Sequence, residues 1–402
     1  MVKNPNKRKI YYIGYADVLK GRVGPIIEMQ TCRAIAASGH KVILVVPTYW
    51  RPENISREKI WEYYGIPKDD FQVKMLPTFL KDTSSLLRTR LAMLITNFFM
   101  AMRVLWDVII SPDESVALIF WTVIETYPYL FILAPVRWLK KVPFIYELHS
   151  LGENTWLHKY MLKRMDGILC ISEALRKELC TTLPYDESKT IIGRPGVSAQ
   201  AYPQEINVVQ LRKGLGLPES AWIAMYTGKI SPNLPEINII VEAAKKMKDV
   251  LFLFAGGKPE AVEYWNLYCE KNGIKNVRFI GFVPPNQISS YQLSADALLL
   301  CYASDLYTKE VTSPGKMLEY MYAAKPIVAV DFPVLREVLR HDENALLVPP
   351  DDPNAIADAL KVLMADKALC AKLGERARED AKEHTWEKRA QRFQALINKV
   401  SN

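Results

Sequence analysis

The chain has 402 residues, of which half are hydrophobic and 24% are charged. This composition is typical of a globular protein, and the length is too great for one ordinary core, so we expect two domains. The formal net charge of +8 favours a phosphate-bearing substrate, an anionic membrane surface or a nucleic acid, although a solvated basic surface explains it equally well. The six cysteines form no CxxC pair and lack zinc-ligand spacing, which fits a reducing cytoplasm.

The first half of the chain alternates short apolar runs with helical patterns. The N-terminus lacks the apolar run and cleavage site of a signal peptide and leads into a predicted strand at Ile10–Ile13. A loop with Gly21 and Gly24 follows, and then a helix predicted from Pro25 to Gly39. Further strands are predicted at Val42–Val46, Asp107–Ile110, Phe144–Leu148 and Gly167–Ile171.

An apolar stretch at residues 116–136 approaches the length of a membrane span. Glu125 and Pro128 interrupt it, so we interpret it as a buried helix that is kinked at Pro128. A spanning helix is the alternative.

The regular pattern is lost across residues 193–206, which we interpret as a linker. The second half then repeats the alternation and ends in an amphipathic helical region at 353–399. Its strands are predicted at Trp222–Tyr226, Leu251–Ala255, Val277–Gly281, Ala297–Cys301 and Pro326–Val330. Such alternation predicts two doubly wound α/β domains. Ligands of these sheets bind beyond the carboxyl ends of the strands, which we expect to line a cleft between the domains.

The sequence TSPGKMLEYM at residues 312–321 predicts a helix start that can bind an anion. Ser313 suits the N-cap and Pro314 the first helical position, so the first backbone N–H groups can hold a phosphate. Lys316 adds a mobile positive charge, and Glu319 can accept hydrogen bonds from a vicinal diol. Diphosphate and diol together describe a nucleotide-sugar. The alternative is a solvent-facing Glu319 paired with Lys316.

The ordered set of motifs resembles the retaining glycosyltransferases of the GT-B fold, family 4. The resemblance covers nearly the whole chain and is strongest over 222–386. The segments that carry it are Tyr146–His149, Tyr226–Lys229, Ala255–Gly257, Gly281–Pro284, Thr312–Lys325, Asp331–Glu337, Asn344–Pro349 and His384–Trp386.

This resemblance implies two Rossmann-like domains that face each other across a cleft. Residues 1–200 would form the acceptor-side domain and 201–380 the nucleotide-sugar donor domain, with a helix in 381–402 returning to the first domain. It implies retention at the anomeric carbon, without a bound metal and without a cofactor other than the UDP- or GDP-linked donor. We expect the acceptor to be a lipid-linked glycan or another precursor of a cell-envelope polysaccharide.

The same resemblance implies a set of site residues. Catalytic roles fall on His149, Lys229 and Glu319, although a hydrogen-bonded buried histidine is the alternative for His149. Donor contacts fall on Gly24, Gly228, Lys229, Gly256, Gly257, Phe282, Val283, Thr312, Ser313, Pro314, Gly315, Lys316 and Glu319. For Gly24, an ordinary strand-to-helix turn is equally compatible with the sequence.

Two positions depart from the family pattern. The first of two glutamates that the family often has on the donor loop and helix falls at Val311, and the second is Glu319. A second basic residue of the donor pocket falls at Pro235, which cannot neutralise phosphate. We therefore expect Lys316 to take over that role beside Lys229.

Two basic and apolar segments of the first domain suggest an anionic membrane surface, namely residues 88–105 and 137–141. The first is an apolar helix pattern with arginines near its ends, and the second places a tryptophan among cations. The alternative is that the helix packs on the sheet. We expect a cytoplasmic protein that associates peripherally with the cytoplasmic membrane if the first interpretation holds.

Other functions fit the same fold less well. A sugar-nucleotide 2-epimerase is one alternative, and a nucleotide-sugar-binding protein without catalysis is another. A nucleic-acid binder is disfavoured because the sequence has no zinc finger, RNA-binding aromatic motif or concentrated basic stripe.

Overall fold

The computed structural model describes residues 7–14, 18–20, 23–48, 56–68, 70–77, 86–110, 116–121, 127–152, 156–306 and 309–401. Gly21 and Glu125 of the sequence analysis lie outside these ranges. The chain divides into two compact units. Unit 1 combines Met1–Gly196 with Trp386–Asn402, and unit 2 is Val197–Thr385. The divisions expected from sequence, after residues 200 and 380, lie a few residues from these.

Unit 1 is a parallel sheet of seven strands with helices between them. Its strands are β1 (Lys9–Ile13), β2 (Lys41–Thr48), β3 (Gln72–Pro77), β4 (Val116–Trp121), β5 (Phe144–Leu148), β6 (Gly167–Cys170) and β7 (Thr190–Ile192). Its first helices are α1 (Val23–Ala37), α2 (Ile60–Tyr63), α3 (Leu86–Ile109), α4 (Tyr127–Ile132), α5 (Ala134–Lys140), α6 (Trp156–Lys163) and α7 (Glu173–Thr182).

The strand order in this sheet is β3-β2-β1-β4-β5-β6-β7, and every pairing is parallel. The order reverses between β1 and β4, where Ile13 pairs with Phe120. Parallel strands are covered on both faces, which explains their continuous apolar sequences. Strands β4 and β5 are buried along their full length.

Two sequence predictions in unit 1 are wrong. Asp107–Ile110 was expected as a strand, but Asp107, Val108 and Ile109 end α3 and Ile110 follows it, because a four-residue apolar run does not distinguish a strand from a helix. Residues 116–136 were expected as one kinked helix, but Val116–Trp121 is the strand β4, paired with both β1 and β5. Helix α4 begins only at Tyr127.

Unit 2 repeats the same architecture with six parallel strands. They are β8 (Trp222–Thr227), β9 (Val250–Ala255), β10 (Val277–Gly281), β11 (Ala297–Leu300), β12 (Ile327–Val330) and β13 (Leu346–Val348). Its helices are α8 (Val208–Gly214), α9 (Pro235–Lys245), α10 (Pro259–Lys271), α11 (Ile288–Ser294), α12 (Gly315–Tyr322), α13 (Pro353–Ala365) and α14 (Lys367–Ala381). The order β10-β9-β8-β11-β12-β13 reverses between β8 and β11.

The last helix, α15 (Trp386–Ser401), belongs to the core of unit 1. Its buried side chains Trp386, Phe393 and Ile397 lie in the same cluster as Ile10 of β1 and Leu44 of β2. The region 353–399 is therefore three helices, α13 to α15, divided between the two units.

Helices α12 and α14 of unit 2 approach each other closely at Gly374. A Cβ atom at this position would lie 2.2 Å from the backbone oxygen of Ala324, which follows α12. Alanine is normally the better helix former by about 1 kcal/mol. Here the backbone would have to move, because the oxygen cannot rotate away.

We expect Gly374→Ala to lower the free energy of unfolding by about 1–3 kcal/mol, the usual cost of overpacking. Urea unfolding monitored by circular dichroism measures it. Gly214→Ala is the matched control, because no atom lies within 4 Å of a Cβ at that helical glycine; it should be neutral or stabilising. Equal urea midpoints for the two variants would contradict the close approach.

Candidate functional site

In unit 2 the predicted donor residues gather at the carboxyl ends of β8 and β11, where the strand order reverses. Doubly wound sheets bind ligands at this kind of edge. Tyr226 lies near the end of β8, and Tyr302 follows β11. The Nζ of Lys316 lies between them, 4.1 Å from the ring centroid of Tyr226 and 4.6 Å from that of Tyr302. The helix that carries Lys316 thus begins at this edge.

Two glycine turns cross at the same edge. The amide of Gly228 donates to the carbonyl of Ala255 at 3.0 Å, and the amide of Gly256 donates to that of Gly281 at 2.7 Å. Gly228 and Gly256 have φ angles of 142° and 138°, and a Cβ on Gly256 would lie 1.8 Å from the oxygen of Gly228. The neighbouring Gly257 has a φ of 85°. Only glycine permits this crossing, which leaves backbone rather than side chains facing solvent.

Lys229, the predicted catalytic lysine, extends from this crossing. Its side chain is exposed, and its carbonyl accepts a hydrogen bond from the Tyr226 hydroxyl at 3.2 Å. The structure thus fixes the Lys229 backbone and leaves its ammonium group in solvent.

The start of α12 differs from the sequence prediction by one residue. Pro314 is the N-cap, the first helical residue is Gly315, and no side chain caps the helix. Ser313 is buried, and its hydroxyl has no hydrogen-bond partner among the described residues. The predicted Ser313 cap is therefore wrong, because Pro314 keeps an extended ψ of 123° and delays the helix. Thr312 lies half-buried just before this turn.

Lys316 is not the mobile cation expected from sequence, because it is half-buried against the two tyrosine rings. Burial lowers the pKa of its ammonium group to about 8, and the nearby Glu236 and Glu319 offset only part of that effect. Lys316 and Glu319 form no ion pair within the described part of the chain, so the simple i,i+3 pairing is also wrong. A bound diphosphate would raise the pKa of this ammonium group again and keep it protonated, because a nearby negative charge favours the charged form.

Glu319 is held by Gln292, a fully buried residue of α11. The Gln292 amide donates to Glu319 Oε2 at 2.9 Å and to the Thr227 hydroxyl at 3.2 Å, and its oxygen accepts from the Tyr202 hydroxyl at 2.5 Å. Burial raises the pKa of Glu319, and Gln292 and Lys316 counteract this. Among the described residues no donor other than Gln292 reaches this carboxylate, so Oε1 is available to a ligand.

The hydroxyl of Tyr320 completes this cluster. It lies 2.8 Å from the Thr227 amide and 3.1 Å from the Thr227 hydroxyl. Sequence reasoning identified Glu319 but not Gln292, Tyr202 or Tyr320. No local pattern marks them, because the bond between Tyr202 and Gln292 joins residues 90 positions apart.

Phe282 and Val283 follow Gly281, the last residue of β10, whose carbonyl accepts from Gly256 in the glycine crossing. The Phe282 ring is 60% exposed and borders an open groove of about 550 Å³ that Val262 and Leu267 of α10 also line. Val283 is half-buried. An exposed aromatic ring at the end of a strand is suited to stacking on a planar ligand.

In unit 1 the predicted His149 follows β5 and lies over Trp121, the last residue of β4. The two ring centroids are 4.1 Å apart. His149 Nε2 lies 2.7 Å from Glu147 Oε1, two residues earlier on the same side of the strand. His149 is therefore oriented by a carboxylate and follows β5, the neighbour of β4 in the sheet. Its functional role and the alternative of a hydrogen-bonded structural histidine both stay predictions.

Glu147 is fully buried and compensated from three sides. Its carboxylate accepts from the Tyr12 hydroxyl at 2.7 Å and pairs with the guanidinium group of Arg389 on α15. Arg389 also donates to the carbonyls of Gly193 and Arg194. Burial by itself raises the pKa of Glu147, but Arg389, His149 and Tyr12 together lower it to about 2. The carboxylate is therefore charged at neutral pH.

Gly24 does not lie in a loop. Helix α1 begins at Val23, two residues earlier than predicted, so Gly24 is in its first turn. Its backbone amide is one of the N–H groups without an intrahelical acceptor. Within the described ranges no group of three or more His, Cys, Asp or Glu side chains is arranged to hold a metal ion.

Comparison with known proteins supports this picture. Residues 209–380 match the family model "Glycosyl transferases group 1", and the match lies inside unit 2. The D-inositol 3-phosphate glycosyltransferase of Jonesia denitrificans is 22% identical over 300 residues, which are 67% of this chain and 68% of that protein.

Solved structures resemble both units. The structure of HepE from Anabaena in complex with UDP and glucose has a TM-score of 0.69 at 16% identity and covers 97% of this chain and 99% of its own. Sucrose-phosphate synthase from Thermosynechococcus elongatus has a TM-score of 0.71 at 19% identity, with 97% and 98% covered. The fold is GT-B, and residues 209–380 are similar to the glycosyl transferases of group 1.

Removal of the cation from the buried Glu147–Arg389 pair should destabilise unit 1. We expect Arg389→Met to lower the free energy of unfolding by about 3–5 kcal/mol, because it leaves a buried carboxylate uncompensated. Adding Glu147→Gln should recover part of this loss. Urea unfolding of the single and double variants gives the coupling energy. Additive effects would contradict a direct interaction.

The pH dependence of the same pair has a defined sign. The pKa of Glu147 is about 2 in the folded protein against 4.5 ordinarily. At 1.36 kcal/mol per unit of pKa shift, the ionised Glu147 contributes about 3 kcal/mol to the free energy of unfolding. This contribution is complete above pH 4.5 and is lost as the pH falls toward 2. We expect the stability gap between wild type and Glu147→Gln to shrink as the pH falls from 4.5 toward 2. A gap that widens on acidification would overturn this assignment.

Proposed function

We propose that the chain is a retaining glycosyltransferase of family 4, which transfers a sugar from a UDP- or GDP-linked donor to a lipid-linked glycan or another cell-envelope polysaccharide precursor. The observation that carries the proposal is the cluster at the β8–β11 edge. There, a glycine crossing, a helix start, Lys316 and a fixed Glu319 converge. Nothing in the proposed reaction requires a metal ion or a further cofactor.

The diphosphate of the donor would lie at the start of α12. The amide of Met317 already donates to the carbonyl of Pro314 at 3.0 Å. The amides of Gly315 and Lys316 precede it in the first turn and can donate to a ligand, and the helix dipole favours an anion there. Pro314 and Thr312 shape the approach without adding negative charge. Lys316, which lies between the rings of Tyr226 and Tyr302, supplies positive charge. Lys229, in the exposed loop after β8, supplies more.

The donor's hydroxyl groups would be bound by Glu319. Gln292 occupies Oε2 and fixes the carboxylate orientation, so Oε1 can accept from a ribose or sugar diol. A raised pKa on a buried carboxyl is consistent with a group that gains hydrogen bonds when ligand binds. The base would stack near Phe282 and bond to the backbone around Val283. HepE, which shares the fold, binds UDP, and this favours uracil.

Catalysis would rest on stabilising the leaving diphosphate. Negative charge accumulates on it as the glycosidic bond breaks, so fixed cations and amides lower the barrier more than they stabilise the bound substrate. The departing phosphate oxygen would accept the proton of the acceptor hydroxyl, and no side-chain nucleophile is needed. His149, oriented by Glu147, would contact the sugar or acceptor.

The acceptor would be reached on the cytoplasmic side of a membrane. Several relatives are named D-inositol 3-phosphate glycosyltransferases, and the molecule in that name is phosphorylated. A basic protein is suited to a phosphorylated acceptor as well as to a phosphorylated donor. We therefore propose a polyprenyl diphosphate sugar or a similar anionic lipid-linked glycan.

Donor binding should stabilise the protein and depend on Glu319. We expect one class among UDP-, GDP- and ADP-sugars to raise the melting temperature, which at 100 times the Kd corresponds to about 2.7 kcal/mol. Glu319→Ala and Gln292→Leu should each weaken the shift, while Glu375→Ala on the exposed face of α14 should leave it intact. A wild type that responds to no nucleotide-sugar would argue against the transferase. Product analysis with the active donor separates transfer from 2-epimerisation.

Donor affinity should fall as the pH rises through the pKa of Lys316. Because burial lowers this pKa to about 8, the ammonium group loses its charge above pH 8, whereas the donor diphosphate stays anionic. We expect isothermal titration to show weaker binding from pH 7 to 9.5 for wild type. Lys316→Arg should bind with little pH dependence, and Lys316→Met weakly at every pH. The same pH profile in wild type and Lys316→Met would exclude Lys316 from the phosphate site.

A further inference from the structure

Helix α3 in unit 1 is apolar on two opposite faces. One face is buried in the unit through Met100, Val104 and Val108. The other face exposes large apolar side chains to solvent, namely Leu94, Ile95, Phe98, Phe99, Met102, Trp106 and Ile109. Among the described residues, α3 is the one helix that is long and apolar enough to cross a membrane, over its segment Ala92–Ile109. A third of this segment is buried. Its packed face shows that α3 is a component of unit 1.

Helices α4, α5 and α6 also expose large apolar side chains. Trp138 and Leu139 on α5 are 82% and 71% exposed, and Trp156 at the start of α6 is 77% exposed. Phe131 on α4 is also exposed. Three tryptophans, including Trp106, therefore present their rings to solvent. A soluble monomer rarely exposes an apolar patch of this kind without a partner for it.

Two cations join these helices into one surface. Lys140 Nζ donates to the carbonyl of Val108 at the end of α3, at 2.8 Å. Arg137 donates to the carbonyl of Arg164 just after α6 and to Asp166 Oδ1, each at 2.5 Å. Both cations therefore serve the packing of α5, while Trp138 and Leu139 between them in sequence point to solvent.

The charge of the chain is concentrated in the same helices. Helices α3 to α6, together with Lys141, Arg164 and Asp166, carry nine basic residues and two acidic residues in the sequence, a net of +7. The basic residues are Arg88, Arg90, Arg103, Arg137, Lys140, Lys141, Lys159, Lys163 and Arg164, and the acidic residues are Asp107 and Asp166. Asp107 is buried and paired with Lys74 and Arg103. Asp107 therefore offsets Arg103, and Asp166 offsets Arg137. Lys141, Lys163 and Arg164 remain exposed and basic.

We propose that this surface, formed by α3, α4, α5 and α6 and here called the aromatic–basic face, binds the surface of an anionic lipid bilayer. Tryptophan rings and apolar side chains would enter the headgroup region, and the lysines and arginines would attract anionic lipids. The contact is peripheral, because the opposite side of α3 is packed in unit 1. It does not depend on the proposed donor chemistry.

Co-sedimentation with vesicles tests the proposal. Wild type should bind vesicles of equal parts phosphatidylglycerol and phosphatidylcholine, bind pure phosphatidylcholine weakly, and be released by high salt or alkaline carbonate. The double variant Trp138→Ser/Leu139→Ser should bind at least ten-fold more weakly, because it removes two apolar anchors. Val209→Ser/Val362→Ser is the matched control, since these side chains of unit 2 are 51% and 49% exposed.

A second pair of variants tests the charge. Lys141→Gln/Lys163→Gln should weaken binding to the anionic vesicles by about 25-fold, because each cation near such a surface contributes about five-fold. Binding to pure phosphatidylcholine should not change. Lys248→Gln/Lys275→Gln, on the exposed surface of unit 2, is the control. Should the tryptophan variant fail to fold by circular dichroism, the lysine pair still decides the question.

Several results would overturn the proposal. If the wild type stays in the supernatant with anionic vesicles, the aromatic–basic face does not bind an anionic bilayer. Binding that neither pair of variants weakens places the contact elsewhere. Resistance to alkaline carbonate would indicate a spanning helix. A dimer by light scattering that Trp106→Ser dissociates, without vesicle binding, would show that a second copy covers the face.

Discussion

The reversal of strand order in each parallel sheet is the constraint on which the rest of the molecule depends. At the reversal, the loops after two adjacent strands leave in opposite directions and open a crevice at the carboxyl edge. Trp121 ends one of the strands next to the reversal in unit 1, and Thr227 ends one in unit 2. Each candidate cluster is built around one of these strand ends. The backbone topology therefore sets the position of both clusters.

The two units place charge at these edges in different ways. In unit 1 the buried carboxylate of Glu147 is fully compensated by Arg389, Tyr12 and His149, so the pair is fixed and charged. In unit 2 Lys316 is desolvated against aromatic rings, and no carboxylate within the described ranges pairs with it directly. A compensated pair is a structural anchor. A desolvated cation without a partner gains most from an incoming anion, which is why it is the better candidate for ligand contact.

The sequence predicts the sheets well, because strands buried on both faces appear as continuous apolar runs such as Leu251–Ala255. It fails where such a run is short or long enough to fit another element, as at Asp107–Ile110 and 116–136. The candidate residues Lys316 and Glu319 could be selected from sequence because helix start, charge and spacing are local signals. Gln292 and Arg389 were not found, since their partners lie far away in sequence, Arg389 being 242 positions from Glu147. The one recoverable clue was the alternation of Glu147 and His149 on one side of a strand.

The return of α15 to unit 1 makes the order of synthesis matter. Unit 2 is complete once Thr385 has left the ribosome, whereas unit 1, whose strands are made first, lacks α15 until residues 386–401 have been made. Until then its nascent core has no Phe393 or Ile397, and Glu147 has no guanidinium partner. The part of the protein that begins first therefore finishes last. During that interval its incomplete apolar surface is what a chaperone would bind, and a chain cut short before Trp386 would remain in that state.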